Sequence, residues 1–177
     1  MGRLLIIFLT MLSARAVFGQ VKVGDKVPDF SLPDKNGKLF HLNDNLGQKY
    51  LVIYFYPKDE TKGCTAEACT FRDNYDVFIK NNSEVIGISA DDPSSHKSFA
   101  ENHKLPYILL SDEKNEVRNL FGVPRSMLGM LPGRVTYVVD KNGIVQLVFN
   151  SQTQFDMHAE EALQIITKAN SVSQQQK

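Results

Sequence analysis

Three short apolar runs mark the centre of the chain as an alternation of strands and helices. Leu51–Tyr56 is apolar, β-branched and aromatic and stops at Pro57, which predicts a buried strand. Glu84–Ser89 and Tyr107–Ser111 have the same character. Between them, His96–Asn102 is predicted to be helical, with a preceding serine available as its cap. This order predicts a parallel pair of strands with crossovers in an α/β sheet.

The two ends of the domain carry hairpin patterns. Pro28–Leu42 predicts two short strands around the turn Asp34–Gly37, and Arg134–Phe149 predicts two more around Lys141–Gly143. An amphipathic helix is predicted to follow Phe155. Its apolar face comprises Ala159, Ala162, Leu163 and Ile166. The chain therefore predicts an N-terminal β-hairpin, two βα units and a ββα end.

The composition of the chain limits the number of domains and the classes of partner. The chain has 177 residues, 42% of them hydrophobic, which is enough for one well-packed domain and too short for two. Lys plus Arg equals Asp plus Glu, at 20 each, so the formal net charge is zero. That balance does not favour nucleic acid or an anionic membrane as a partner.

The first 19 residues differ from the rest of the chain. Arg3 precedes the apolar run Leu4–Leu12, and small residues follow through Gly19, which is the order of a secretory signal peptide. The run is too short to span a bilayer, which needs about 20 residues. We therefore predict a signal peptide or other targeting segment over 1–19, a domain over 20–170 and a disordered polar tail over 171–177.

A candidate reactive thiol follows the central strand. After Pro57 a polar turn leads into good helix formers, so Cys64 is expected in the first turn of a helix. The helical pattern is predicted to continue from Phe71 to Lys80. The helix N-terminus stabilises an anion there, and the thiolate is the nucleophilic form of cysteine. Lys58, Lys62 and Arg72 lie close in sequence and could add positive charge.

Cys69 is the second of the two cysteines. Five residues along an intact helix separate two Cα atoms by about 8–9 Å, whereas a disulfide needs less than about 7 Å. A Cys64–Cys69 bond therefore requires local unwinding, which suits a redox cycle. A structural disulfide is the alternative, but so small a loop would stabilise the fold little.

The motif around these cysteines resembles that of a known family. Pro57-x-x-x-Thr61-x-x-Cys64 resembles the active-site signature of peroxiredoxins, and Cys64-x-x-x-x-Cys69 is similar to the peroxiredoxin Q group, also called bacterioferritin comigratory proteins. The resemblance runs from about Val23 to about Lys168. It includes the blocks Val23–Phe30, Glu84–Asp92, Leu110–Glu113 and Leu131–Gly143. Plant-type members look closest.

This resemblance implies a thioredoxin-like fold and a thiol-dependent peroxidase that reduces hydrogen peroxide and organic hydroperoxides. Cys64 would form a sulfenic acid, and Cys69 would resolve it as an intramolecular disulfide. Thioredoxin or a similar dithiol would then reduce the disulfide. The resemblance implies no cofactor, favours a monomer, and makes the plastid an alternative to an extracytoplasmic location.

Three further residues are candidates for the catalytic site. Thr61 could direct its hydroxyl toward the sulfur, although it also suits an N-cap. Pro57 would cover the sulfur, although it also suits a strand terminator. By resemblance, Arg134 rather than Arg125 would hold the thiolate and the peroxide together.

Other functions remain open at this point. A one-cysteine peroxidase or a non-catalytic redox sensor on the same fold would use Cys64 without Cys69. A disulfide isomerase would want Cys-x-x-Cys, which is absent, and a metal site is disfavoured because the histidines fall in separate segments. The methionine-bearing loop Pro124–Pro132 is either a flexible flap or a rim facing substrate or partner.

Overall fold

The computed structural model describes residues 19–126 and 129–175, so residues 1–18 of the predicted targeting segment lie outside it. Its elements in chain order are β1 (Ser31–Pro33), β2 (Leu39–His41), a 3-10 helix (Leu42–Asn45), β3 (Tyr50–Phe55), α1 (Lys62–Asp73), α2 (Tyr75–Lys80), β4 (Ser83–Ser89), α3 (Pro93–His103), β5 (Ile108–Ser111), α4 (Glu116–Leu120), β6 (Val135–Val139), β7 (Val145–Asn150) and α5 (Met157–Gln175).

Five strands form one mixed sheet in the order β5-β4-β3-β6-β7. β3 pairs in parallel with β4, as the alternation of strand and helix predicts, and β4 also pairs in parallel with β5. β3 is antiparallel to β6, which forms the predicted antiparallel pair with β7. β1 and β2 make a separate antiparallel pair, so the predicted N-terminal hairpin is confirmed.

The central strand is buried on both faces of the sheet. Leu51, Ile53 and Phe55 pack with the N-terminal hairpin and α4. The alternate residues of the strand point the other way and pack under α1, α2, α3 and α5. This placement brings the start of α1 directly above the end of β3, where the candidate thiol lies.

Gly87 in β4 permits close packing. A Cβ at this position would lie 2.7 Å from the ring of Tyr54 and 2.8 Å from the side chain of Leu109. Both neighbours are fully buried, so neither has room to move aside.

Three helix ends differ from the prediction. Asp92, rather than a serine, caps α3 by accepting the N–H groups of Ser94 and Ser95, because Pro93 occupies the first helical position. The helix predicted to continue through Lys80 breaks at Asn74, a weak helix former that separates α1 from α2. α5 runs through Gln175 and so includes residues that were predicted to begin the polar tail.

Candidate active site

Cys64 is the third residue of α1 and is buried, with 2% of its surface exposed. The first backbone bond of the helix runs from the Thr65 N–H to the Thr61 carbonyl, at 2.8 Å. The N–H groups before Thr65 have no intrahelical acceptor, so they give the start of α1 a positive character beside the sulfur. The predicted position of Cys64 in a first helical turn is confirmed.

Arg134 lies against the sulfur. It precedes β6, is 3% exposed, and its Nη2 donates to Cys64 Sγ at 3.2 Å. Burial acts to lower its pKa, but Glu67 and Cys64 outweigh that effect and raise it, so the guanidinium stays charged. The exposed Arg125 instead donates from Nε to the Gly129 carbonyl, at 2.6 Å. The structure therefore brings Arg134, and not Arg125, to the thiol.

Glu67 is a site residue that the sequence analysis missed. It lies three residues after Cys64 on the same helix face, is fully buried, and accepts a hydrogen bond from Arg134 Nη1. Burial raises the pKa of Glu67 to about 8, against the opposing effect of Arg134. The only signal in the sequence was the i, i+3 spacing from Cys64.

Arg118 of α4 is a second buried arginine that the analysis missed. Its Nη1 donates to the Gly133 carbonyl and its Nη2 to the Tyr56 carbonyl, both at 2.7 Å. Burial lowers its pKa to about 10, against the opposing charges of Asp112 and Cys64. Arg118 therefore joins the end of β3 to the start of β6 and adds positive charge near the thiol.

Thr61 and Pro57 line the loop before α1. Thr61 occupies the N-cap position, but its hydroxyl donates to the Lys58 carbonyl at 3.0 Å and makes no capping bond. Its exposed side chain has no hydrogen bond to Cys64 in the described part of the chain. Pro57 directly follows β3 and is half-buried. Their catalytic roles stay predictions.

Cys69 is half-buried on the same unbroken helix as Cys64, and both thiols are free. Arg72 lies near Cys69 on this helix. The hydrogen bond from Arg72 to Asp73 is the largest effect that raises the pKa of Arg72, and the electrostatic effect of Cys69 acts in the same direction. Arg72 also donates to the His103 carbonyl at 2.8 Å. The expectation that Arg72 adds charge beside Cys64 is therefore not met, because Arg72 projects from the far end of the helix.

A buried polar cluster fixes the loop that precedes α1. The Asp59 carboxylate accepts from Tyr56 at 2.7 Å and Ser95 at 2.8 Å, and it lies 2.9 Å from His96 Nδ1. The other ring nitrogen of His96 lies 3.1 Å from the Leu110 carbonyl. Burial acts to raise the pKa of Asp59, but these hydrogen bonds and the His96 charge outweigh it, so the pKa is lowered.

Asp59→Asn is expected to cost about 3 kcal/mol of unfolding free energy, because it removes the charge at the centre of a buried hydrogen-bond network. The lowered pKa means that the Asp59 contribution is present above the ordinary carboxyl range and is lost as the pH falls through the lowered value. Urea unfolding at neutral and acidic pH should therefore show a difference that shrinks in acid. The exposed Asp29→Asn serves as control. Equal costs in unfolding free energy for both variants would refute the stabilising role of the buried cluster around Asp59.

Within residues 19–126 and 129–175, no group of three or more His, Cys, Asp or Glu side chains could hold a metal ion. Among the helices of these residues, none is both long and apolar enough to cross a bilayer.

The fold and the site together define an α/β protein with a buried thiol at a helix N-terminus, held against an arginine. The sequence profile of the AhpC/TSA family matches residues 23–148. The chain therefore belongs to the AhpC/TSA family, and the predicted membership in the peroxiredoxins is confirmed.

Individual relatives narrow this placement. The chain is 54% identical over 158 residues to "Peroxiredoxin Q, chloroplastic" of Gentiana triflora, which covers 89% of this chain and 72% of that protein. It is also 54% identical over 153 residues to the protein of the same name from Arabidopsis thaliana, covering 86% and 70%. The predicted likeness to plant-type peroxiredoxin Q is confirmed.

Solved structures agree with this result. Peroxidoxin BcpB from Mycobacterium tuberculosis matches with a TM-score of 0.78 and 39% identity, over 84% of this chain and 98% of that one. A Cys-to-Ser mutant of PrxQ from Xylella fastidiosa also gives 0.78, with 26% identity over 86% and 99%. These neighbours confirm the predicted thioredoxin-like fold.

Proposed function

We propose that this protein is a thiol-dependent peroxidase that reduces hydrogen peroxide and organic hydroperoxides. The observation that carries the proposal is the 3.2 Å contact between Arg134 Nη2 and the sulfur of Cys64, at the start of α1. A buried thiolate needs a fixed positive charge, and a peroxide needs donors for the charge that shifts across its two oxygens. The guanidinium of Arg134 supplies the positive charge for the thiolate and the hydrogen-bond donors for the peroxide.

The reaction begins with attack of the Cys64 thiolate on one peroxide oxygen. The O–O bond breaks, the second oxygen takes a proton and leaves as water or an alcohol, and Cys64 becomes a sulfenic acid. Arg134 and the backbone N–H groups of Gly63 and Cys64 stabilise the charge on the oxygens. Thr61 would turn its hydroxyl inward, and Pro57 would cover the sulfur.

Cys69 resolves the sulfenic acid. Its thiol condenses with Cys64, a disulfide forms and water leaves. Both residues lie on the continuous helix Lys62–Asp73, where their Cα atoms stand about 8–9 Å apart. The helix must therefore open around these residues in each cycle. Thioredoxin or a similar dithiol then reduces the disulfide and is itself oxidised to a disulfide.

The relatives and the start of the sequence suggest a cellular compartment for this protein. The relatives named chloroplastic favour a plastid, with residues 1–19 acting as part of a targeting segment. An extracytoplasmic location after signal cleavage is the alternative that the apolar run Leu4–Leu12 supports. We propose a monomer, since resolution by Cys69 needs no second chain.

A coupled assay tests this function. Peroxide consumption is followed with thioredoxin, thioredoxin reductase and NADPH for the wild type and for Cys69→Ser. The wild type is expected to turn over many times, whereas Cys69→Ser consumes about one equivalent of peroxide and then stops. Equal turnover of both proteins would support a one-cysteine peroxidase, and a single slow oxidation of the wild type would support a redox sensor.

A further inference from the structure

His158 is a buried histidine that the peroxidase mechanism does not use. It lies in the first turn of α5 and is fully buried. Its Nε2 lies 2.9 Å from the Ser151 carbonyl, which can only accept, so Nε2 carries a proton. Burial lowers the pKa of His158 to about 4, with Arg134 acting in the same direction and the Ser151 carbonyl against it. The ring is therefore neutral, and Nδ1 bears a lone pair.

That lone pair accepts a hydrogen bond from the Thr136 hydroxyl, and the carboxyl group of Glu67 lies beside it. Nδ1 lies 2.8 Å from Thr136 Oγ1 and 3.4 Å from Glu67 Oε1. Oε1 is buried and has no hydrogen-bond partner among the described residues, while Oε2 accepts from Arg134. Because the Thr136 hydroxyl already donates to Nδ1, an ionised Oε1 would be a buried negative charge with no donor beside it. A proton on Oε1 removes that charge.

The charges around the thiol lead to the same conclusion. Arg134 carries one positive charge and contacts both Cys64 and Glu67, so two ionised partners would leave an excess negative charge. Arg118 also acts on Cys64 but is balanced by Asp112. From the other elements packed against Glu67, the tyrosines Tyr54 and Tyr107 are kept neutral because burial raises their pKa values.

We propose that Glu67 holds a proton on Oε1 beside His158 Nδ1 while Cys64 is a thiolate, and that this proton reserves the Arg134 charge for the sulfur. The idea rests on the proposed function for its consequence in catalysis. Glu67 and His158 are positioning residues, since they act through Arg134. When the pH rises and the proton leaves, the Glu67 carboxylate competes with the thiolate for Arg134, and attack on peroxide slows.

Infrared difference spectroscopy tests the proton directly, without peroxide. The wild type at neutral pH is expected to show the carbonyl stretch of a protonated carboxylic acid that Glu67→Gln removes and His158→Phe shifts. Glu84→Gln is the matched control, because Glu84 is a partly buried glutamate that contacts Lys49 and Tyr75 instead. A wild-type spectrum without a band that depends on Glu67 would overturn the proposal.

The pH dependence of the first oxidation step supplies a second readout. In a Cys69→Ser background, the rate of Cys64 oxidation is expected to fall above about pH 8, by up to about tenfold per pH unit, as Glu67 ionises. Glu67→Gln, whose amide imitates the protonated acid, should lose this decline. The same decline in both proteins would overturn the proposal. A Cys64 that does not react at any pH would instead refute the peroxidase function and leave the infrared result standing.

Discussion

Cys64→Ser is expected to abolish peroxide reduction. A serine hydroxyl stays protonated near neutral pH and is a far weaker nucleophile than a thiolate, so neither the helix N-terminus nor Arg134 can activate it. Serine is close to cysteine in size, so the packing of the buried site is retained. The coupled assay should give the rate of the enzyme-free mixture, while the thermal unfolding midpoint stays near that of the wild type.

The first oxidation step separates the two cysteines. Cys69→Ser should react with the first equivalent of peroxide as fast as the wild type, because Cys69 enters only after the sulfenic acid has formed. Residual catalytic turnover in Cys64→Ser would mean that the reactive atom lies elsewhere in the chain.

Arg134→Met is expected to lower the second-order rate of Cys64 oxidation by about 10²–10³-fold, the effect of removing one preorganised donor from a charged transition state. Methionine has similar length but cannot hold the thiolate or the peroxide oxygens. The rate is measured by stopped flow under pseudo-first-order peroxide. Arg125→Met is the control, since the exposed Arg125 contacts Gly129 in its own loop, and it should leave the rate unchanged.

The same substitution leaves Glu67 buried without its cation, which could lower stability as well as rate. The double variant Arg134→Met with Glu67→Gln removes that conflict, because the amide carries no charge. It should recover the lost stability and keep the slow reaction. Recovery of the rate together with the stability would show that Arg134 acts through the fold alone.

The strands and the reactive thiol were predictable because local features of the sequence specify them. Leu51–Tyr56 is apolar throughout, as a strand buried on both faces requires, and Pro57 ends it. Cys64 follows a turn and begins a run of helix formers, so its position at a helix start needed no knowledge of distant residues. Arg134 needed more, since only the likeness to a family distinguished it from Arg125.

The groups behind the thiol were not predictable, because their roles arise from tertiary packing. A glutamate in a helix is ordinarily solvated, whereas Glu67 is buried and paired with Arg134, the residue before β6. His158 lies far away in the sequence and reaches the same place through α5. The N-cap of α3 was also not predictable from residue type alone, because either an aspartate or a serine suits that position. The position of Pro93 makes Asp92 the cap.

Intact mass of the reduced protein before and after one equivalent of hydrogen peroxide tests the central claim most directly. The attack-and-resolve cycle predicts that the wild type loses two hydrogen atoms and that a peptide map finds Cys64 joined to Cys69. Cys69→Ser should instead gain one oxygen at Cys64. A wild type that gains oxygen and forms no disulfide, or whose mass does not change, would contradict the account.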